Sequence, residues 1–290
     1  MGLMVDMYLA MAHCDLKQIA ESGQCFRWEA SDNKAFHGAT YIVCDGADQA
    51  LMGQPADADS GIWLRCEYGK VEKWKRYLDF GTKYGAIIRS IPAEDQYLRA
   101  AAESATGLRI LNADLWEIMV SFIISQNNNI PRIRKCVAAM CEKLGEAREG
   151  VCGTYHTFPI PAALADIRTL QGLGLGYRDK YIACLAQNVL DGKIDLAALQ
   201  QMPTEAAHTY LKSIFGIGEK VSNCILLFGL GRKEAFPVDT WMKKIIAREY
   251  AGKFPVELYP QTAGVIQQYM FYAERKQKAD RRNRNGNHSI

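Results

Sequence analysis

Two glycines separated by one residue, Gly216 and Gly218, join two helical patterns in the segment LKSIFGIGEKVSNCILLFG. The apolar period predicts helices at about 204–213 and 219–229 on either side of them. Such glycines allow a tight hairpin with outward-facing amides, and the second helix would add its N-terminal amides and dipole. The result is an anion site suited to a DNA phosphate, which carries no base sequence. An ordinary packing corner between two helices is the alternative.

Strand-like and helical patterns occupy different parts of the chain. From about 24 to 67, the segments CFRW, FHGATYIVC and IWLRCEY are rich in aromatic and β-branched residues, with turn signals between them. From about residue 71 the apolar period becomes helical, and Asp114 is expected to cap the helix DLWEIMVSFIIS. Pro131 is expected to lie in the first turn of the next helix, and a loop at about 149–161.

This order of patterns predicts an α+β fold. We expect an N-terminal antiparallel β-sheet domain over residues 1–80, followed by a mostly α-helical helix-hairpin-helix core over 81–275. The hairpin itself would span about 204–229. Residues 276–290 form a basic tail, which we expect to be disordered.

Composition excludes several classes of protein. The nine cysteines are scattered and include no CxxC pair, which argues against a zinc site and suits free thiols in a reducing compartment. The chain has no apolar run of the roughly 20 residues that a membrane-spanning helix needs, and its start does not resemble a secretory signal. The net charge of +3 permits nucleic-acid binding if the positive charge is concentrated on one face. We expect a cytoplasmic protein, with a nuclear one left open.

Lys220 is predicted to lie in the first turn of the second hairpin helix, with Cys224 one turn further on the same face. An amine attacks carbon only when it is neutral, and the positive potential of a helix N-terminus favours the neutral form. A nucleophilic lysine is therefore one interpretation, and an ordinary solvated surface lysine is the other.

Asp239 follows Pro237 in the segment PVDTWMKKII and is predicted to cap the helix that begins there. A capping carboxylate accepts backbone amide hydrogen bonds and stays ionised. Most such residues are plain caps, but a fixed carboxylate can also stabilise positive charge on a sugar as a glycosidic bond breaks.

Together these features resemble the helix-hairpin-helix, Gly/Pro-Asp DNA glycosylase superfamily, and within it the 8-oxoguanine DNA glycosylase/AP lyase family. The lysine of the second hairpin helix and the PVD aspartate nineteen residues later match the bifunctional members. Five blocks in the same order carry the resemblance: SGQCFRW at 22–28, LWEIMVSFIISQNNNIPRI at 115–133, LGLGYRDKY at 173–181, the hairpin, and GVIQQYMF at 264–271.

The resemblance implies a pocket for a flipped-out base. Gly23 would offer its main-chain carbonyl to the N7–H of 8-oxoguanine, where guanine has an acceptor instead. Gln267 would read the Watson–Crick edge, and Phe271 and Cys224 would lie on the two faces of the base.

On the opposite strand, the resemblance implies that Tyr177 is the wedge that fills the gap in the duplex. Asn127, Arg132 and Arg178 would hold the orphaned cytosine, whose N3 and O2 are acceptors that suit arginine donors. A preference for 8-oxoguanine opposite cytosine is therefore expected. The alternatives without a role in DNA recognition are a core aromatic for Tyr177 and a surface arginine for Arg132.

The implied partner is double-stranded DNA containing 8-oxoguanine, and the protein is expected to act as a monomer. Gly216, Gly218 and Trp241 would contact DNA phosphates. No cofactor is required by the chemistry, but the family's hairpin binds a structural cation on main-chain carbonyls. Those carbonyls belong here to Lys212, Ile214 and Ile217.

This chain departs from the family at two positions. Phe215 stands where the hairpin usually has a proline, and Trp241 where a histidine is frequent. No cysteine follows Cys224, so the four-cysteine iron–sulfur motif of related glycosylases is absent.

Two other functions stay open: a glycosylase for an alkylated base or an oxidised pyrimidine, and a hairpin module that binds DNA without catalysis. Lys220 argues against the alkylated bases, and Lys220 together with Asp239 argues against the module.

Overall fold

The computed structural model describes residues 2–33, 35–36, 38–55 and 61–286, with side chains up to residue 280. Its N-terminal part is a five-stranded antiparallel sheet in the order β1-β5-β4-β3-β2. The strands are β1 Met4–Leu9, β2 Trp28–Ser31, β3 Ala39–Asp45, β4 Asp48–Gln54 and β5 Ile62–Glu67.

Helices make up most of the rest of the described chain. They are α1 Leu16–Glu21, α2 Val71–Tyr77, α3 Tyr84–Arg89, α4 Gln96–Ser104, α5 Leu115–Ile124, α6 Ile130–Leu144, α7 Pro161–Leu164, α8 Arg178–Leu190, α9 Leu196–Gln201, α10 Thr204–Ser213, α11 Glu219–Phe228, α12 Thr240–Glu249 and α13 Ala263–Gly286. A small hairpin of β6 Ala147–Gly150 and β7 Gly153–His156 follows α6. The predicted α+β class, with a sheet followed by a helical core, is confirmed. None of the described helices is both long enough and apolar enough to cross a membrane.

Local sequence signals explain where the helices around the hairpin begin. Asp114 caps α5 by accepting the Glu117 amide at 2.9 Å, as predicted. Asn127 has a left-handed φ of +47°, which ends that helical path, and Pro131 lies in the first turn of α6. The hairpin helices α10 and α11 begin where the apolar period predicts.

One continuous apolar core joins the sheet to the helices, from Leu9 in β1 to Ala273 in α13. Helix α5 runs through its middle, and all ten of its residues are buried. The domain boundary at residue 80 stays a prediction, since the core crosses it without a gap.

Three expectations about local structure are wrong. Strand β1 lies before the region predicted to form strands. It was missed because it pairs with β5, about sixty residues further along the chain, and no nearby residue signals that pairing. The predicted loop at 149–161 contains most of the β6–β7 hairpin. The tail predicted to be disordered is helical over 276–286, as the continuation of α13, and residues 287–290 lie outside the described part.

Candidate active site

Lys220 is the second residue of α11 and is half-buried. Its Nζ donates a hydrogen bond to the Ser125 Oγ at 3.0 Å and lies 4.9 Å from the centre of the Phe122 ring. The Ser125 hydroxyl in turn donates to the Phe122 carbonyl at 2.8 Å. Its hydrogen is therefore committed, and a lone pair faces the Lys220 amine. The end of α5 thus holds the lysine in place.

Asp239 is the N-cap of α12, as predicted. Its Oδ1 accepts the amides of Trp241 and Met242, at 3.0 and 2.8 Å. Both bonds go to one oxygen, and no described residue donates a hydrogen bond to Oδ2. A carboxylate fixed at one oxygen and free at the other is suited to stabilise a nearby positive charge.

Lys220 and Asp239 line one cavity of about 460 Å³. Its walls come from the loop after α5, the start of α11 and the start of α12, so two helix N-termini face it. Gly218, Trp241 and Asn127 line the same cavity. The structure therefore brings together the two predicted catalytic residues and part of the predicted DNA contacts.

The residues predicted to surround the base, Gly23, Cys224, Gln267 and Phe271, do not line that cavity. Cys224 is fully buried one turn after Lys220, and burial raises the pKa of its thiol while the Lys220 charge opposes the shift. Gly23 has a φ of +82°, and a Cβ there would lie 3.6 Å from the Phe271 ring. Gln267 is buried, and its Oε1 accepts a hydrogen bond from the Gln268 amide at 2.9 Å.

The residues predicted to form the wedge and to hold the cytosine lie together near the α5–α6 loop. The Asn127 amide donates to the Tyr177 hydroxyl at 3.2 Å, and the Tyr177 side chain is 47% exposed. The exposed Arg132 donates weakly to the Gly174 carbonyl at 3.3 Å. Tyr177 is thus a surface aromatic and not a core one.

Arg178 is buried, which the sequence does not reveal. Its Nε donates to the Gln126 carbonyl at 2.8 Å, and its two terminal nitrogens donate to the carbonyls of Gln126, Asn127 and Leu175. The guanidinium therefore fixes the loop that carries Asn127, and most of its donors are already used.

The hairpin turn is tightly held. Gly216 has a φ of +89° and its carbonyl accepts the Gln126 side-chain amide at 2.9 Å. Gly218 is the N-cap of α11. Trp241 lies at the start of α12, and the Lys278 Nζ from α13 is 4.4 Å from the centre of its ring. Of the predicted cation ligands, the Ile214 carbonyl accepts an intraturn hydrogen bond at 3.0 Å.

Sequence reasoning missed Ser125 and Gln126. Both directly follow a helix that is buried along its whole length, and both precede the asparagine run that the sequence singles out. A polar pair at the end of an apolar helix was the available signal. That these side chains reach the hairpin, about ninety residues away, is visible only in the tertiary structure.

Comparisons with known proteins agree with this geometry. The family model for the 8-oxoguanine DNA glycosylase N-terminal domain matches residues 7–119, and that for the HhH-GPD superfamily base excision DNA repair proteins matches 120–255. An N-glycosylase/DNA lyase of Saccharomyces cerevisiae is 33% identical over 258 residues, which cover 81% of this chain and 68% of the yeast protein.

Solved structures show the same likeness. MBOgg1 in complex with a low-affinity DNA ligand aligns with a TM-score of 0.85 and 32% identity, over 96% of this chain and 97% of that one. The Clostridium acetobutylicum 8-oxoguanine glycosylase/lyase, bound to double-stranded DNA with cytosine opposite 8-oxoG, aligns with a TM-score of 0.84 and 28% identity, over 95% and 98%. The hairpin, the lysine and the capping aspartate thus indicate the same family as the whole-chain comparisons. The protein belongs to the 8-oxoguanine DNA glycosylase family.

Proposed function

We propose that this protein excises 8-oxoguanine from duplex DNA and then cleaves the strand at the resulting abasic site. One observation carries the proposal: Lys220 and Asp239 line a single cavity at the N-termini of two helices. The cavity thus combines a nucleophile, a fixed carboxylate and oriented amides that attract phosphate. The relatives described as N-glycosylase/DNA lyase and 8-oxoguanine glycosylase/lyase support the same reaction class.

In the proposed reaction, the neutral Lys220 amine attacks C1′ of the deoxyribose and the C1′–N9 bond breaks. Asp239 stabilises the positive charge that develops on the sugar in the transition state. The sugar ring then opens to a Schiff base between C1′ and Nζ. Loss of a C2′ proton allows the C3′–O bond to break, which nicks the strand 3′ to the lesion. Ser125 orients the amine through its 3.0 Å hydrogen bond.

Recognition of the lesion is assigned to the Gly23 main-chain carbonyl, which would accept the N7–H that guanine lacks. The left-handed φ of +82° at Gly23 and its closeness to Phe271 support this role, because a side chain there would collide with Ile130. Phe271 and the neutral thiol of Cys224 would contact the two faces of the base. Gln267 would read the Watson–Crick edge after giving up its bond to Gln268.

For the opposite strand, we propose a preference for cytosine. Asn127 and Arg132 are exposed and weakly bonded, so both are free to turn toward cytosine acceptors. Arg178 contributes in another way: its bonds to loop carbonyls hold Asn127 in position, and direct contact with the base would require some of those bonds to break.

We also propose a monomer that needs no cofactor for catalysis and acts in the cytoplasm on nucleoid DNA in a bacterium, with a nuclear location open elsewhere. A structural cation on the carbonyls of Lys212, Ile214 and Ile217 fits the hairpin. The Ile214 carbonyl uses one lone pair within the turn and keeps a second. Such a cation would add positive charge next to the phosphate site formed by Gly216 and Gly218.

The test is borohydride trapping on a duplex with one 8-oxoguanine opposite cytosine. Wild-type protein is expected to form a covalent protein–DNA band on a denaturing gel, and Lys220→Gln none. Lys243→Gln is the matched control, because Lys243 lines the same cavity and is exposed. Its band should persist, since a nearby charge is lost but the nucleophile is kept.

Other outcomes separate the alternatives. Tight binding to the lesion duplex without a trapped band would indicate a monofunctional enzyme or a damage-binding module. A band with an oxidised pyrimidine or an alkylated base, but not with 8-oxoguanine, would move the specificity to that lesion. A band that survives Lys220→Gln would assign the Schiff base to another amine.

A further inference from the structure

A row of three aromatic rings connects the hairpin turn to the wedge residue. Phe215, in the turn before α11, is 58% exposed. Its ring meets Tyr181 of α8 edge to face, with centroids 4.8 Å apart and an interplanar angle of 85°. Tyr181 meets Tyr177 in the same manner, at 5.8 Å and 78°. Edge-to-face pairs at these distances are attractive and fix relative ring orientation.

The middle ring of the row has no room to move toward the hairpin. A Cβ on Gly216 would lie 2.4 Å from the Tyr181 Cγ, so the ring packs directly on the backbone of the turn. Gly216 is also bound by Gln126, whose own carbonyl accepts from Arg178. The turn, the α5–α6 loop and the start of α8 therefore form one connected unit.

Tyr177 itself is held at several points around its exposed ring. Asn127 donates to its hydroxyl, and the Arg178 guanidinium lies 4.7 Å from the ring centre. Tyr181 supplies the contact from the hairpin side. A wedge must keep its orientation while it separates stacked bases, and a ring that is ordered beforehand loses less entropy on insertion.

We propose that Phe215 is a positioning residue for the wedge: it fixes Tyr181, and through Tyr181 it holds Tyr177 in the orientation that enters the duplex. This inference rests on the proposed function and on the wedge role that the family resemblance implies for Tyr177. A proline at position 215, which the family resemblance leads one to expect, has no ring that would make an aromatic contact with Tyr181. The substitution therefore exchanges a stiff turn for an aromatic support.

The experiment uses the full chain and a duplex that cannot be excised. The duplex carries a tetrahydrofuran abasic-site analogue opposite cytosine, with 2-aminopurine next to that cytosine as a reporter of unstacking. Wild-type protein is expected to raise the 2-aminopurine fluorescence. Phe215→Ala and Phe215→Pro should reduce that rise and weaken binding about three- to tenfold, the size of a lost aromatic pair. Phe215→Tyr keeps the ring and should restore both.

Two controls separate positioning from general damage. Phe80 is another exposed aromatic, 41% accessible, and Phe80→Ala should leave fluorescence and binding unchanged. In a Tyr177→Ala background, Phe215→Ala should add nothing, because its effect passes through the wedge. Thermal melting of each variant checks that the fold is retained.

The proposal fails if Phe215→Ala weakens binding equally with and without Tyr177, since the ring would then act on DNA by itself. It also fails if Tyr177→Ala leaves the fluorescence rise intact, because Tyr177 would not be the wedge. A wild-type protein that unstacks the reporter but does not excise 8-oxoguanine would sink the proposed function and leave the positioning role standing.

Discussion

Arg109 and Lys220 are both basic side chains that lie against an aromatic ring, but their surroundings differ. Arg109 is 1% exposed and donates to several main-chain carbonyls, among them Leu78 at 3.0 Å and Asp79 at 2.7 Å. Lys220 is half-buried and has fewer partners, the Ser125 hydroxyl at 3.0 Å and the Cys224 thiol. Arg109 has nearly all its donors satisfied inside the protein, and Lys220 keeps a donor free for a ligand.

The same contrast separates two regions. At the sheet–helix junction, formed by Arg27, Gly46 and Glu117, the Arg27 guanidinium bonds the Glu117 carboxylate at 2.9 Å and the Gly46 carbonyl at 3.0 Å. The junction satisfies its polar groups internally, and such groups stabilise a fold without being available to substrate. The cavity at Lys220 and Asp239 leaves polar atoms unsatisfied, and these are the atoms that can react. Changes in the first region should affect stability, and changes in the second should affect catalysis.

The largest expected effect is in the cavity. Lys220→Gln should lower single-turnover excision of 8-oxoguanine by about 10⁴-fold or more, as removal of a covalent nucleophile does in other enzymes. Its melting temperature should stay close to that of the wild type, because it loses only the hydrogen bond to Ser125 and the contacts of the amine with the Phe122 ring and the Cys224 thiol. A melting temperature lowered by many degrees would show that the lysine also serves the fold, which would contradict the contrast.

Arg27→Met tests the junction. It removes the charged partner of the buried Glu117 carboxylate and leaves the Gly46 amide bond, and breaking a buried ion pair typically costs about 3–5 kcal/mol of unfolding free energy. The matched control is Arg65→Met: Arg65 bonds Asp6 at 2.6 Å on the exposed face of the sheet, where such pairs contribute about 1 kcal/mol or less. Chemical denaturation measures both. Similar losses of unfolding free energy in the two variants would mean that the buried Arg27–Glu117 pair stabilises the fold no more than the exposed Arg65–Asp6 pair.

Asp239 combines a structural role with the proposed catalytic one, since it caps α12 and lines the cavity. Asp239→Asn should lower excision about 10²–10³-fold while the cap is kept, because asparagine is an equally good N-cap. Asp195→Asn is the control, as Asp195 caps α9 with the same pair of amide bonds, at 2.8 and 3.0 Å. Excision rates and melting curves of the two variants should therefore differ only in the rates.

The junction also predicts a pH dependence of stability. Burial raises the pKa of Glu117 from 4.5 to about 7, with the Arg27 charge opposing the shift. The folded state therefore binds a proton more tightly than the unfolded state. The resulting stabilisation is complete below pH ~4.5 and is lost as the pH rises through about 7.

Glu117→Gln removes this titrating group, so the free energy of unfolding of the wild type relative to Glu117→Gln should fall by about 3 kcal/mol between pH 4.5 and 8. Denaturation at several pH values measures that difference, in which the carboxylates distant from Glu117 cancel. A difference that does not change with pH would place the Glu117 titration outside this range.

Ser125→Ala is expected to have the smallest effect on the rate of excision. It removes the hydroxyl that orients Lys220, and the loss of one such bond should slow excision about three- to tenfold with little change in stability. Ser104→Ala is matched to it, because the Ser104 hydroxyl donates to a helix carbonyl three residues earlier at 2.8 Å, as that of Ser125 does. A slowing in both variants would trace the effect to the helix and not to the lysine.

Much of the site was predictable because its signals are local. The glycine pair, the start of α11 at Glu219 and the capping role of Asp239 all follow from residues within a few positions of one another. Strand β1 was not predictable in that way, because an edge strand rich in methionine is recognisable mainly from its pairing with β5. The burial of Arg178 likewise depends on loop carbonyls that lie about fifty residues away in the chain.

By itself, the sequence determined the order of sheet and helices, the hairpin, the lysine and the aspartate, because caps, turns and periodicity act over a few residues. Only the tertiary structure decided that Ser125 holds Lys220, that Arg178 binds the carbonyls of the Asn127 loop, and that Phe215 contacts Tyr181, which in turn contacts Tyr177. These contacts join segments that are distant in the chain. They depend on how the whole core packs, and no local pattern encodes them.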